Sequence, residues 1–344
     1  MRRFRPAAAG RGDVMPRGGK ASPLAPDKVS YVTVTADAAG QRLDNFLLRL
    51  ARGVPKSHIY RVVRSGEVRV NKARATVDQR LAEGDELRVP PMRITAVSAA
   101  PPPARGEVPP VLFEDDHLLV VDKPAGLAAH GGSGVSHGLI EQVRAARSHQ
   151  PFLELAHRLD RETSGILLLA KSRKALVALH AMLREGRVEK RYLALVKGDW
   201  LNDRQHVKLP LTKYVTREGE RRVVVDEEGG QASHTVFNLQ ARLRAEVGAF
   251  SLLEAELKTG RTHQIRVHLA HLGYPIVGDD KYGDFEINKR AARGEFGARL
   301  PRMFLHATRT RLAHPVTGET LDLQAPLPRD CNDFIKALAH AATV

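Results

Sequence analysis

The segment HRLDRETSG, residues 157–165, places one carboxylate among positive charges. Asp160 stands between Arg158 and Arg161 and is followed by the small polar run Thr163–Gly165. Nearby positive charge favours the ionised form of a carboxyl group, and guanidinium groups attract phosphate. Two interpretations follow. Asp160 either belongs to an exposed ion-pair network, where such pairs contribute roughly 0 to 1 kcal/mol, or it is an ionised carboxylate kept in a cleft for chemistry on an anionic substrate.

Two further segments contain residues with a possible chemical role. KRYLALV, residues 190–196, is strand-like and contains Tyr192, although most tyrosines on a strand belong to the core. HQIRVH, residues 263–268, places Arg266 between apolar neighbours. An arginine in so apolar a segment is expected to point inward, toward a buried partner that balances its charge.

Two other patterns are weaker signals of a ligand site. HGGSGVSHG, which begins at His130, lacks the Lys and Ser/Thr of a phosphate-binding Walker motif, so we interpret it as a flexible loop near a nucleic-acid backbone. His263, His268 and His271 do not have the HExxH spacing, and no cysteine assists them. We therefore expect structural hydrogen bonding and no metal.

The charge balance indicates a polyanionic partner. The 344 residues include 54 Lys and Arg against 39 Asp and Glu, a formal net charge of +15. No apolar run is long enough to span a bilayer, and the basic residues are spread along the chain, which favours nucleic acid over a membrane surface. The single cysteine, Cys331, can form no intramolecular disulfide, which fits a cytoplasmic protein. Nothing indicates more than a monomer.

The pattern of residues divides the chain into five parts. These are a disordered basic tail (1–28), a small α/β unit (29–90), a Pro-rich linker (91–109), a large domain (110–330) and a C-terminal tail (331–344). The small unit is predicted to contain two short amphipathic helices and short strands. Its outward basic residues are suited to contact a nucleic-acid backbone: Lys56, Arg61, Arg64, Arg69, Lys72 and Arg74.

The large domain does not show a regular alternation of strands and helices. Predicted strands include VLF (111–113), LLVV (118–121), GILLLAK, KRYLALVKG and FSLLEAELK, and predicted helices include SRKALVALHAMLREG and THQIRVHLAHLG. No GxGxxG follows a strand and there is no GK[ST] loop, so a doubly wound nucleotide-binding sheet is not expected. The predicted fold class is α+β.

The motifs, taken together, resemble a known family. DKPAGLAAHGGSGVSHG, HRLDRETSG, KRYLALV and TGRTHQIRVHLAHLG, in this order and spacing, resemble the RluA family of RNA pseudouridine synthases over roughly residues 110–330. The HGGSG phrase and YGDFE resemble its subgroup that modifies bacterial 23S ribosomal RNA. QRLDNFLLRLARG and SGEVRVN resemble the S4 RNA-binding domain. The resemblance implies a mixed, largely antiparallel central sheet flanked by helices, with an S4-like unit before it.

The resemblance also implies roles for individual residues. The catalytic aspartate of the family corresponds to Asp160, its buried cation to Arg266 and its active-site tyrosine to Tyr192. Arg158 corresponds to the residue that fills the gap left by an everted base. The reaction needs no cofactor. The other residues that we expect to contact RNA are Arg161, Lys123, His130, Arg261 and His263.

Three alternatives remain at this point. A non-catalytic ribosome-assembly factor would need only the basic S4-like unit. A pseudouridine synthase acting on transfer RNA would have the same motifs. An RNA glycosidase would use Asp160 with Glu162, but two carboxylates two residues apart are poorly placed for a concerted acid and base pair.

Overall fold

A computed structural model describes residue 24 and residues 27–35, 38–51, 53–92, 108–131, 137–246 and 248–341. Most of the predicted tail, most of the predicted linker and residues 132–136 of the HGGSGVSHG segment lie outside these ranges. The chain forms two compact units, residues 1–99 and 100–344. None of the helices in the described part of the chain has the length and apolar content needed to span a bilayer.

The first unit consists of two helices on a small antiparallel sheet. Its elements are β1 (Ser30–Thr33), α1 (Leu43–Leu50), α2 (Lys56–Arg64), β2 (Arg69–Val70), β3 (Ala73–Arg74) and β4 (Glu86–Val89), and the strand order is β1-β4-β2-β3. Leu43, Phe46 and Leu47 form one face of α1, while Ile59 and Val62 form one face of α2, and all are buried in one core. The predicted helical stripes are therefore confirmed, because spacings of three and four residues place these side chains on one helical face.

The second unit is built on a large sheet. Its strands are β5 (Val111–Glu114), β6 (Leu118–Lys123), β7 (Glu154–Leu155), β8 (Ser164–Ala170), β9 (Glu189–Lys197), β10 (Arg204–Val207), β11 (Leu211–Val215), β12 (Arg221–Val225), β13 (Thr235–Ala245), β14 (Gly248–Leu257), β15 (Leu305–Ala313) and β16 (Thr320–Gln324). Its helices are α3 (Leu139–Ala146), α4 (Arg173–Arg184), α5 (Gln264–His271), α6 (Phe285–Arg293) and α7 (Arg329–Ala341).

The sheet is mixed and largely antiparallel. In the described residues its order is β10-β13-β14-β9-β15-β8-β6-β5, with β16 beside β15 and β7 beside β8, while β11 and β12 form a separate hairpin. Its parallel pair is β15 with β8. Alternate side chains of β6 and β8 enter two different cores, as the two-residue period of a strand requires. The predicted α+β class is confirmed, and so are the helices predicted at α4 and α5.

Strand β8 needs a glycine where it runs parallel to β15. Gly165 pairs with Ala307 and has a φ of +107°, and a Cβ built on it would lie 2.3 Å from the Ala307 carbonyl oxygen. Only a residue without Cβ permits this approach at that φ. The glycine that closes HRLDRETSG thus fixes how the strand after Asp160 joins the sheet.

The C-terminal segment is not a tail, and this prediction is wrong. Residues 329–341 form α7, whose Cys331, Phe334 and Leu338 are fully buried beside Phe296 of the α6 region. The three residues recur at i, i+3 and i+7, the spacing of one apolar helical face. Burial also raises the pKa of Cys331 to about 12, so its thiol is inert.

Candidate active site

Asp160 lies in the short loop between β7 and β8, and two contacts shape this loop. The backbone N–H of Thr163 donates to the Asp160 carbonyl oxygen at 3.2 Å, which closes a turn directly before β8. The Lys123 ammonium, at the end of β6, donates to the carbonyl oxygen of Arg161 at 3.0 Å. The Asp160 side chain is 28% exposed, so the loop presents it neither to bulk solvent nor to the core.

The prediction that Lys123 contacts RNA is wrong. Its side chain is 0% exposed, and its ammonium also donates to the carbonyl oxygens of Pro124 (2.8 Å) and Leu127 (2.7 Å). β6 pairs with β8 in a register that sets Lys123 opposite Gly165. The ammonium is therefore positioned under the Asp160 loop, where it joins two backbone segments and is shielded from any phosphate.

Arg266 lies on α5 and is 3% exposed. All six residues at positions 264–269 of this helix are buried, including Ile265, Val267 and Leu269, so a charged side chain at position 266 cannot reach solvent. The predicted inward orientation is confirmed. Nη1 of Arg266 donates to Oδ2 of Asp160 at 3.2 Å, while Nε and Nη2 each donate to Asp279 at 2.7 Å.

His263 and Tyr282 contact the two members of this ion pair. His263 precedes α5 with a φ of +53°, a conformation that is rare for a residue with a Cβ and that often occurs at functional sites. Its Nδ1 contacts the Tyr282 hydroxyl at 2.9 Å, and its Nε2 is 3.8 Å from Oδ2 of Asp160. Burial lowers the pKa of His263, against the opposing effect of Asp160. His263, which the sequence predicts to contact RNA, therefore lies next to Asp160.

Tyr192, on β9, is 7% exposed and lines the same cavity as Asp160. Burial raises its pKa well above the usual range, and the negative charge of Asp160 adds to this effect. A buried phenol beside a carboxylate stays protonated at neutral pH, because ionisation would place a second negative charge in a poorly solvated site. Tyr192 can therefore offer both an aromatic face and a hydroxyl proton.

These side chains meet in one cleft of about 790 Å³. Its lining includes all three predicted catalytic residues together with five predicted RNA contacts, which are Arg158, Arg161, His130, Arg261 and His263. The volume is ample for an everted nucleotide with its ribose. The interpretation of Asp160 as a residue of an exposed ion-pair network is excluded, because its carboxylate lies in the cleft against a buried guanidinium.

The two arginines that flank Asp160 in sequence have other contacts. Nη1 of Arg158 is 2.9 Å from Nε2 of His130, and Nε of Arg161 donates to the Gly126 carbonyl oxygen at 3.0 Å. Both side chains are exposed at the cleft, where an RNA phosphate can reach them. Among the described residues, the cation that donates a hydrogen bond to Asp160 is Arg266.

Sequence reasoning missed several residues of the cleft. Arg184, Lys190 and Lys258 add positive charge to its lining. Asp279 accepts two hydrogen bonds from the Arg266 guanidinium. Lys190 had a usable signal, because it precedes Tyr192 by two residues and so shares its face of the strand. Asp279 had none, because it belongs to a loop that only the folding of the chain brings beneath α5.

The predicted RNA-contacting residues of the first unit are all exposed. Lys56, Arg61 and Arg64 line a groove along α2 with Tyr60, whose ring lies 5.2 Å from the Lys56 ammonium and 5.8 Å from the Arg64 guanidinium carbon. Arg69 and Arg74 face each other across β2 and β3, and Lys72 lies in the turn between these strands. The groove therefore combines positive charge with an aromatic ring.

The histidines of α5 include one with a clear structural role. His268 is fully buried, and its ring nitrogens contact the hydroxyls of Ser233 (2.8 Å) and Thr235 (3.0 Å), as expected from the sequence. Within the described ranges, no three His, Cys, Asp or Glu side chains are grouped in a way that could hold a metal ion.

Comparison with known proteins matches both units. Family models described as "RNA pseudouridylate synthase" and "S4 domain" match residues 117–271 and 41–87. The chain is 48% identical to "Ribosomal large subunit pseudouridine synthase C" of Yersinia pestis, over 92% of this chain and 98% of that protein. It is 47% identical to the protein of the same name from Escherichia coli K12, over 91% and 98%.

Two solved structures support the same assignment. "Human RNA Pseudouridylate Synthase Domain Containing 1" superposes with a TM-score of 0.53 at 25% identity, over 68% of this chain and 96% of that one. "Human RNA Pseudouridylate Synthase Domain Containing 4" superposes with a TM-score of 0.51 at 26% identity, over 66% and 92%. With a carboxylate, a buried arginine and a protonated tyrosine around one cleft, the chain belongs to the RluA family of RNA pseudouridine synthases and carries an S4 domain before its catalytic domain.

Proposed function

We propose that this enzyme converts specific uridines of bacterial 23S ribosomal RNA into pseudouridine, with Asp160 as the catalytic carboxylate. The observation that carries this proposal is the contact between Asp160 and Arg266 inside a cleft that also contains Tyr192. The choice of ribosomal RNA is supported by the name of relatives 47% to 48% identical over almost their whole length. The enzyme acts as a monomer in the cytoplasm.

The reaction moves the ribose from one atom of uracil to another. The bond from ribose C1′ to uracil N1 breaks, the uracil turns within the site, and C1′ joins C5. The C5 proton is then lost and N1 gains a proton, so atoms and electrons balance without an oxidant or water. The chemistry therefore requires neither a redox cofactor nor a metal.

Asp160 can serve this reaction by two balanced routes. In the first, a carboxylate oxygen attacks C1′ and the bonding electrons leave with uracil; C5 later displaces the carboxylate. In the second, Asp160 takes the 2′ proton, a C1′–C2′ double bond forms as uracil leaves, and the proton returns to C2′ when C5 adds. Both routes need an ionised carboxylate in a poorly solvated site, and the 3%-exposed Arg266 supplies the balancing charge.

Tyr192 and Arg158 act on the base. Tyr192 stacks on the uracil and keeps the detached base in the site, since aromatic stacking is worth about 1 to 3 kcal/mol per base. Its hydroxyl accepts the proton that C5 loses while it passes its own proton on toward N1, so the phenol ends protonated as it began. Arg158, exposed at the cleft, fills the space that the everted uridine leaves in the RNA, while Arg161 and Arg261 bind phosphates.

The S4 domain increases affinity for folded RNA. Its α2 groove presents Lys56, Arg61 and Arg64 on one side of a short helix, an arrangement that contacts phosphates and recognises shape more than base identity. Binding energy from this domain is available to offset the cost of everting a uridine, which is a few kcal/mol.

Mapping of pseudouridine across total RNA tests this function. We expect cells that lack the protein to lose a small set of pseudouridines in 23S ribosomal RNA, and the purified enzyme to restore them on transcripts of the same regions. Loss confined to transfer RNA would overturn the substrate assignment while keeping the chemistry. Release of free uracil would indicate hydrolysis, and an unchanged map would contradict the function.

A further inference from the structure

We propose that Asp279 is a positioning residue of the active site, which aims Arg266 so that a single guanidinium N–H meets Asp160. This inference rests on the proposed role of Asp160. Asp279 is 0% exposed and lies in the loop that precedes α6, outside every motif discussed above. Nothing in its sequence context, GDDKYGD, distinguishes it from its neighbour Asp280.

The guanidinium of Arg266 contacts the carboxylates of Asp279 and Asp160 in different ways. Two of its nitrogens, Nε and Nη2, donate to the two oxygens of Asp279, each at 2.7 Å, whereas Nη1 donates to Asp160 at 3.2 Å. A planar guanidinium offers only a few edges for a paired contact with a carboxylate. Because Asp279 occupies the edge formed by Nε and Nη2, Arg266 holds Asp160 through one longer bond, and Asp160 keeps capacity to react.

Asp279 is itself held rigidly. Its Oδ1 accepts the backbone N–H groups of Lys281 (2.9 Å) and Tyr282 (3.0 Å) in addition to Arg266. Its carbonyl oxygen accepts a bond from Asn288 Nδ2 at 2.8 Å, and Asn288 Oδ1 accepts the Gly278 N–H at 2.6 Å. The carboxylate therefore has a fixed place set by backbone and by α6, which is what a residue that orients another side chain requires.

Tyr282 limits the remaining freedom of the guanidinium. The Arg266 guanidinium carbon lies 5.1 Å from the Tyr282 ring centroid, and the Tyr282 hydroxyl accepts the Val223 N–H at 2.9 Å while contacting His263. Asp280, by contrast, is 64% exposed and contacts Nη2 at 3.3 Å. Of the two adjacent aspartates, only Asp279 is built into the site.

The test compares Asp279→Asn with Asp284→Ala in the full-length enzyme. Asp279→Asn keeps the shape of the side chain but turns one oxygen into a donor that faces the guanidinium. Asp284→Ala removes the N-cap of α6 in the same segment and touches neither Arg266 nor the cleft. We expect Asp279→Asn to lower the single-turnover rate at least tenfold while the Kd for RNA changes less than threefold, and Asp284→Ala to leave the rate per folded enzyme within twofold.

A double-mutant cycle separates positioning from general support of the fold. If Asp279 acts through Arg266, Asp279→Asn will change the rate less than threefold in an Arg266→Lys background, since the group that it aims is already altered. Multiplicative effects would overturn the proposal. If Arg266→Lys shows no turnover, the cycle cannot be completed. In that case, equal rates per folded enzyme for Asp279→Asn and Asp284→Ala would overturn the proposal.

A second variant tests the proposal if Asp279→Asn does not fold. Asn288→Ala removes the support of the Gly278–Asp279 backbone without removing a charge, and we expect a rate loss of threefold or more with unchanged Kd. A wild-type rate would overturn the proposal. These outcomes are distinct from failure of the proposed function: if Asp160→Asn keeps activity, the role of Asp160 is wrong, whereas an inactive Asp160→Asn beside a fully active Asp279→Asn removes only this inference.

Discussion

Asp160 Oδ2 and Arg266 Nη1 lie 3.2 Å apart although 106 residues separate them in the chain. Asp160 belongs to the loop before β8, and Arg266 to a helix that follows β14. The sheet brings these distant segments to one cleft. A guanidinium that is only 3% exposed needs carboxylate partners to balance its charge, and this pairing underlies the chemistry proposed here.

Replacement of Asp160 tests the catalytic assignment. We expect Asp160→Asn to reduce pseudouridine formation by a factor on the order of 10³ or more, because the amide can neither attack C1′ nor accept the 2′ proton. RNA affinity should change less than threefold, since the carboxylate contributes no attraction for phosphate. A single-turnover assay with filter binding measures both quantities. Asp322→Asn, on the exposed Asp322–Arg309 pair of β16 and β15, is the control. Turnover near the wild-type rate would refute the mechanism.

Neutralisation of the α2 groove tests the S4 domain. The triple change Lys56→Gln, Arg61→Gln and Arg64→Gln removes three exposed charges and keeps the side-chain stems. We expect weaker RNA binding and a shallower dependence of log Kd on log salt, by roughly 0.7 to 0.9 per lost phosphate contact. Chemistry on a short stem-loop should persist at saturating concentration. Titrations at several salt concentrations measure this, and an unchanged slope would exclude a phosphate role for the groove.

The contact between Gly165 and Ala307 predicts a loss of stability. Gly165→Ala would force a Cβ to within 2.3 Å of a carbonyl oxygen at a positive φ. We expect the free energy of unfolding to fall by at least about 2 kcal/mol, the sum of backbone strain and overpacking. Gly318→Ala is the matched control, because Gly318 also has a positive φ (+81°) but no atom within 4 Å of a built Cβ. Urea denaturation compares the two, and equal losses would contradict the steric argument.

Two buried histidines predict a pH dependence of stability. Burial lowers the pKa of His268 and of His306 to about 4, and both side chains are 0% exposed. Their unfolded pKa is about 6.5, so between pH 6.5 and 4 the unfolded chain binds more protons than the folded one. Stability must then fall as pH drops through this window.

The expected loss is on the order of 2 to 3 kcal/mol per histidine by pH 4. Urea unfolding at pH 7, 5.5 and 4.5 measures it, and His306→Gln, which removes one titrating group, should flatten the curve. A wild-type unfolding free energy that stays constant from pH 7 to 4.5 would show that these rings are protonated without cost.

The spacing of apolar residues in the sequence is sufficient to predict several of the helices. Leu43, Phe46 and Leu47 predict one face of α1, and the apolar spacing in α4 and α5 predicts these two helices for the same reason. The prediction of a tail from residue 331 is wrong because a short apolar stripe at the end of a chain does not reveal the core against which it packs. The prediction that Lys123 contacts RNA is wrong because residue type cannot show whether an ammonium faces phosphate or three backbone carbonyl oxygens.

By itself, the sequence determined the fold class, the two-unit organisation, and the order of motifs that includes Asp160, Tyr192 and Arg266, because these depend on local periodicity and on residue identity. Only the tertiary structure decided that Arg266 contacts Asp160 through a single N–H, that Asp279 binds the rest of that guanidinium, and that Lys123 supports the Asp160 loop. These relationships join residues that are 13, 38 and 106 positions apart and lie on different elements. The burial that gives each charge its partner exists only once the sheet has formed.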